Sequence, residues 1–136
     1  MVDPHALIAA RGCGEIRYAV LSDHSNSLSN VLSRFGLLPD ASYLVEHDRN
    51  AALAILVSLL WKDMAYSTEC MPQGEAEELA LRILRANEVE GSRYYSNGDW
   101  PKEAGWSACT ESTYDSGLIV TGKPNTYFCI WFQDED

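Results

Sequence analysis

The hydrophobic pattern of the chain changes character near residue 88, with helical periods before it and alternation after it. The strongest element is 50–66, NAALAILVSLLWKDMAY, in which only Ser58 is polar between Ala51 and Trp61. A helix apolar on nearly every face is either buried or membrane-spanning. This eleven-residue run is about half of the ~20 residues a bilayer requires. It therefore predicts a central core helix, capped by Asp48 or Asn50. Residues 72–87 predict an amphipathic partner, with Ala76, Leu79, Ala80, Ile83 and Leu84 on one face. Glu75, Glu77, Glu78, Arg82 and Arg85 face outward, and Glu78 with Arg82 forms an i,i+4 pair.

The earlier residues hold two shorter helical patterns. Asp3-Pro4 opens one as N-cap and first helical position, with Gly12 or Gly14 to close it. Ser25 or Ser27 caps another, whose stripe is Leu28, Val31, Leu32 and Phe35 and whose stop is Gly36. Between them, residues 15–21 alternate Ile16, Tyr18 and Val20, which suits a strand, although a helix running to Asp23 satisfies the pattern nearly as well. After residue 88, the segments 92–97, 110–114, 117–121 and 126–132 are short and β-rich. Turn signals separate them at Asn97-Gly98, Asp115-Ser116-Gly117 and Gly122-Lys123-Pro124-Asn125. The expected fold is a single α+β domain over 1–136, with a helical N-terminal two-thirds of about four helices packed on a small C-terminal antiparallel sheet.

Charge sharpens this picture. Twenty acids against ten bases give a net charge of −10, carried unevenly: −2 over residues 1–68 and −8 over 69–136. Such a field repels phosphate backbones, so direct nucleic-acid binding is not expected. It favours a positively charged partner and would speed association with one. The four cysteines, Cys13, Cys70, Cys109 and Cys129, show no CxxC pair and no His at ligand spacing, so no zinc site is expected. The start, MVDPHALIAARG, has no basic segment followed by an apolar one. A cytoplasmic protein with reduced thiols, no cofactor and no membrane association is the expectation.

Neither the three histidines nor Gly12-Cys13-Gly14 has a nucleophilic or acidic partner at a known motif spacing. The C-terminal carboxylates Asp99, Glu103, Glu111, Asp115, Asp134, Glu135 and Asp136 could pair as a general acid and base, which requires one of them to be desolvated. Acids at a chain end are usually solvated, and that weighs against catalysis. Nine of the fourteen aromatics also lie in this half, within residues 94–132. Aromatics beside acids suit the capture of Lys and Arg. The final stretch, FCIWFQDED, reads as a last strand whose acids emerge at the sheet's end beside Asp115.

Several of these segments together resemble a known group. Ala65-Tyr66, Tyr94-Tyr95 with Asn97-Gly98 and Trp100, then Trp106, Thr110, Thr113-Tyr114-Asp115, Gly117-Leu118-Ile119, and Trp131 to Asp136 are similar to motifs of small bacterial proteins encoded beside polymorphic toxins. These are the immunity proteins of contact-dependent growth inhibition and related systems. The resemblance covers roughly residues 55–136, and Ser107-Ala108-Cys109 departs from it where the family has Pro after Trp. It implies a non-enzymatic cytosolic protein that binds one cognate toxin domain, commonly a nuclease with a basic cleft. Tyr94, Tyr95, Trp100 and Trp106 would anchor the partner, and Asp99, Glu103, Glu111, Asp115, Asp134, Glu135 and Asp136 would meet its basic groups. Two alternatives stay open. One is a small hydrolase or nuclease using Asp115 or Asp134, with or without a divalent metal. The other is a mimic of DNA charge, hinted at by Glu75, Glu77 and Glu78.

Overall fold

The structure is a computed structural model that describes residues 4–98 and 114–134. Helix α1 (Pro4–Arg11) leads to strand β1 (Glu15–Ser22), helix α2 (Leu28–Phe35), a 3-10 turn (Ala41–Tyr43) and the short strand β2 (Val45–His47). Helices α3 (Arg49–Trp61) and α4 (Gln73–Asn87) follow, then strands β3 (Tyr94–Ser96), β4 (Tyr114–Thr121) and β5 (Thr126–Asp134). The five strands form one sheet in the order β1-β5-β4-β3-β2, and all neighbours are antiparallel.

The class is α+β, but the expected division into a helical N-terminal two-thirds and a C-terminal sheet is wrong. Strands and helices are interspersed, and β1, the first strand, pairs along all eight residues with β5, from Glu15↔Gln133 to Ser22↔Thr126. The alternation of Ile16, Tyr18 and Val20 places these residues opposite Phe132, Ile130 and Phe128, so they share one apolar face. A helix over the same residues would have scattered that face. Gly12 and Gly14, both at positive φ (69° and 57°), turn the chain from α1 into this strand.

Both faces of the sheet are covered, because the inner strands are apolar on both sides. Leu118, Val120, Phe128, Ile130 and Phe132 pack against α3, α4 and Leu7 of α1. Ile119, Cys129 and Trp131 point the other way, onto Val31 and Leu32 of α2 and onto Leu37. Gly117 lies opposite Trp131, where an added Cβ would fall 2.0 Å from the Ile130 carbonyl oxygen and 2.6 Å from the indole. A glycine is what lets the largest buried side chain lie across β4.

The helix ends follow local chemistry. Ser27, not Ser25, caps α2, while Gly36 closes it in the left-handed region (φ 91°). Asp48 caps α3 by accepting from the Ala51 amide at 2.7 Å. Helix α3 stops at Trp61 rather than Tyr66, because Lys62 is extended and Asp63 Oδ1 accepts from the Tyr66 amide at 2.6 Å, which starts a turn. The chain then folds back, and the Cys70 amide donates to the Trp61 carbonyl at 2.7 Å. At that point the expectation of reduced thiols is overturned. Cys13 and Cys70 form a disulfide, with Cα atoms 5.6 Å apart and 57 residues of separation. Cys129 is a free, buried thiol in the sheet, and burial pushes its pKa up to about 12.

Candidate functional site

Four of the residues expected to meet a partner fall within the described chain: Tyr94, Tyr95, Asp115 and Asp134. The others, Asp99, Trp100, Glu103, Trp106, Glu111, Glu135 and Asp136, lie outside the described residues. Asp134 does not emerge at the sheet's end as a solvated acid. It is 1% exposed and bound by Arg11, whose two terminal nitrogens donate to its two oxygens at 2.7 and 2.8 Å. The Met64 amide donates a third bond at 2.9 Å. Arg11 is fully buried, gives its Nε to the Leu59 carbonyl at 2.8 Å, and lies 5.0 Å from the centroid of the Phe132 ring. Gly14 packs so close that a Cβ there would overlap Asp134 Oδ1. The pair ties the end of α1, the turn after α3 and the end of β5 into one corner, beside the disulfide.

Asp115 is also buried. Its Oδ1 accepts from the Trp131 indole and from the Asn97 amide group, each at 3.1 Å, and the same amide group donates to its backbone carbonyl at 2.8 Å. The Asn97 side-chain oxygen accepts from Ser116 Oγ at 2.7 Å, so Asn97 bridges β3 and β4. Asp115 pairs with Gln133 across the β4–β5 ladder and Asp134 with Tyr114, so the two aspartates point to opposite faces of the sheet. They cannot close on one substrate as an acid and base pair. Among the described residues, no group of three or more His, Cys, Asp or Glu is placed to hold a metal ion.

Tyr94 and Tyr95 split across the sheet in the same way. Tyr95 is half-buried beside the α2 layer. Tyr94 is 6% exposed and donates its hydroxyl to Glu88 Oε1 at 2.5 Å, at the wall of a cleft of about 710 Å³ between β2 and the end of α4. Arg49 clamps the same carboxylate through Nε and Nη2 at 2.8 Å each. The Arg49 hydrogen bonds hold the Glu88 carboxyl below its ordinary range. Burial, seconded by the Glu88 hydrogen bond, pushes the Tyr94 hydroxyl up to about 12. Near neutral pH neither group is poised to exchange a proton, and the cleft's central charges neutralise one another. His47, whose Nε2 lies 2.9 Å from the Gly98 carbonyl oxygen, is part of the same wall.

The acids that do reach solvent in number run from the turn after α3 into the first turns of α4. Residues 63–81 contain Asp63, Glu69, Glu75, Glu77 and Glu78 and no Lys or Arg. The four glutamates are exposed, and none of the five acids joins an ion pair among the described residues. Tyr66 stands among them with 65% of its surface in solvent. Trp61 is half-exposed beside them and donates its indole N–H to Glu69 at 3.0 Å. The signal for this surface is present in the sequence as a run of acids without bases over 63–81, although the acid count is heavier towards the C-terminal end. No family model, curated protein or solved structure was found to match the chain.

Proposed function

We propose that the protein is a non-enzymatic immunity protein that binds and neutralises a basic toxin domain, with the surface of residues 61–78 as its principal contact. The observation that carries this reading is the conjunction there of five acids, a single base (Lys62, whose Nζ lies 4.1 Å from the centroid of the Trp61 ring) and two accessible aromatics, Trp61 and Tyr66. Exposed carboxylates that outnumber the local cations steer a cationic partner and raise its on-rate, while aromatic anchors supply the desolvated centre of an interface. The resemblance of residues 55–136 to immunity proteins points the same way and includes the Ala65-Tyr66 step. The positions first expected to make the contact shift accordingly: Asp115 and Asp134 serve the fold, and Tyr94 serves the Arg49–Glu88 cluster.

The test is co-expression with a candidate toxin domain encoded next to this gene. Protection of the cells, with affinity that falls steeply between low and moderate salt, is expected. Failure to bind that domain even at low salt would end the proposal. Cytoplasmic residence belongs to the same reading, and the Cys13–Cys70 bond is the observation against it, since such bonds are rare in a reducing cytosol. Non-reducing mass measurement of protein trapped with an alkylating agent in the cell decides that point. The alternative of a mimic of nucleic-acid charge would use Glu75, Glu77 and Glu78 of α4, and it predicts competition between DNA and this protein for the partner.

A further inference from the structure

Helix α3 is apolar on nearly every side, a composition that calls for cover all round. Among the described residues that cover is complete on one side only. Ala52, Ile55, Leu56, Leu59 and Leu60 are buried against the sheet and α4. The opposite stripe, Leu53, Ala54, Val57 and Trp61, is half-buried or exposed and lines an open groove of about 480 Å³, closed on its α4 side by Gln73 and Glu77. Leu53, Val57 and Trp61 recur at intervals of four residues, the spacing of one helix face. The groove runs along α3 for about two turns, roughly 12 Å at 1.5 Å per residue.

We infer that this groove is the seat of an amphipathic, basic helix of the protein's partner. The inference rests on the toxin-neutralising reading for the identity of that partner, though not for the chemistry of the seat. A ridge between two roughly parallel rows of side chains receives a third helix through its own apolar residues at i, i+3 or i+4 and i+7. Charge decides which helix. Among the described residues no Lys or Arg lines the groove, and Glu77 forms its wall. At the Trp61 end Glu69 accepts the indole N–H, while Lys62 Nζ lies 4.1 Å from the ring centroid, so the carboxylates outnumber the one cation beside the groove. Lysines or arginines flanking the incoming apolar stripe would meet these carboxylates. A second copy of this chain is the competing occupant, but each copy carries −10, and pairing two copies there would bring like charges together.

The experiment uses the purified full chain and three synthetic peptides: a fourteen-residue Leu/Lys helix, its Leu/Glu counterpart, and the Leu/Lys peptide with a central proline. Amide chemical shifts locate binding and titration gives affinity. The Leu/Lys helix is expected to perturb α3 and the Gln73–Glu77 turn, while the Leu/Glu peptide does not bind and the proline peptide binds weakly. Ala54→Arg fills the groove from an exposed position and should weaken the Leu/Lys peptide about tenfold or more, as loss of a central contact does. Glu77→Lys should weaken it severalfold and flatten its salt dependence. Unchanged thermal melts would certify both variants as folded. Equal binding of the proline peptide, perturbation confined to residues 63–69, or indifference to both variants would overturn the proposal. So would a dimer in sedimentation that Ala54→Arg dissociates. Cell protection that survives Ala54→Arg would sink the groove alone. Groove binding of the peptide without toxin capture would sink only the toxin reading.

Discussion

Two acidic regions of this molecule share their chemistry and differ in their neighbours. At the Arg11–Asp134 corner a carboxylate is taken out of water and given three hydrogen bonds and a counterion. On the surface around α4's first turn, five carboxylates have no ion-pair partner among the described residues. The first arrangement fixes three chain segments relative to one another and projects no field. The second fixes little and leaves its charge to act on whatever approaches. Acid density along the sequence points to the C-terminal end, whereas the exposed acids among the described residues are concentrated from the turn after α3 into the first turns of α4.

The sharpest way to break this comparison is Asp134→Ala. Removing one member of a buried pair strands Arg11 and should cost on the order of 3–5 kcal/mol in urea unfolding. Replacing both partners, Arg11→Met with Asp134→Leu, should recover most of that loss, because paired buried charges are nearly neutral against an apolar fill. A loss below about 1 kcal/mol for Asp134→Ala would place the corner among weak surface pairs. Reduction of Cys13–Cys70, or Cys13→Ser, comes next. The bond closes 57 residues, and its removal should lower stability by about 2–4 kcal/mol, read as a drop in Tm with dithiothreitol.

Alkaline pH probes the interior between these regions. Cys129 is raised from an ordinary 9.0 to about 12, and Tyr94 from 10.0 to about 12. A raised folded pKa stabilises fully below the unfolded value and loses that contribution as pH climbs toward the folded one. Stability should therefore decline between pH 9.0 and about 12, and Cys129→Ala should delay the onset. The smallest effect belongs to the acidic surface. Glu75→Lys, Glu77→Lys and Glu78→Lys should each change stability by no more than about 0.5 kcal/mol, while reducing the partner's on-rate and its salt dependence. A large stability loss at any of them would erase the distinction between the two regions.

Local pattern carried much of the fold. The apolar run of α3, the two-sided α4, the caps at Asp48 and Gly36 and the turn between β4 and β5 all follow from residues within a few positions of one another. The turn expected at Asp115-Ser116-Gly117, by contrast, lies inside β4, paired with Gln133, Phe132 and Trp131. What was not legible depends on distance along the chain. The strand over 15–21 competed with a helix because its partner, β5, lies more than 100 residues away. Asp134 read as a solvated terminal acid because Arg11 is 123 positions distant. Disulfide connectivity is not deducible from cysteine spacing, so Cys13–Cys70 was out of reach in the same way. The candidate surface was half legible: the acids and Tyr66 are plain in the sequence, but their exposure depends on α3 ending five residues early.

The strand order has a consequence for how the protein comes into being. β5 is the last strand of the described chain to be made, yet it lies between β1 and β4. A ribosome adding roughly 5–20 residues per second leaves β1 waiting for its partner for several to some twenty seconds. During that interval an eight-residue edge carrying Ile16, Tyr18, Val20 and Leu21 stays unpaired in the cell. Newly made chains should therefore be clients of chaperones that hold nascent hydrophobic segments, and they should complete their sheet only after synthesis has passed β5.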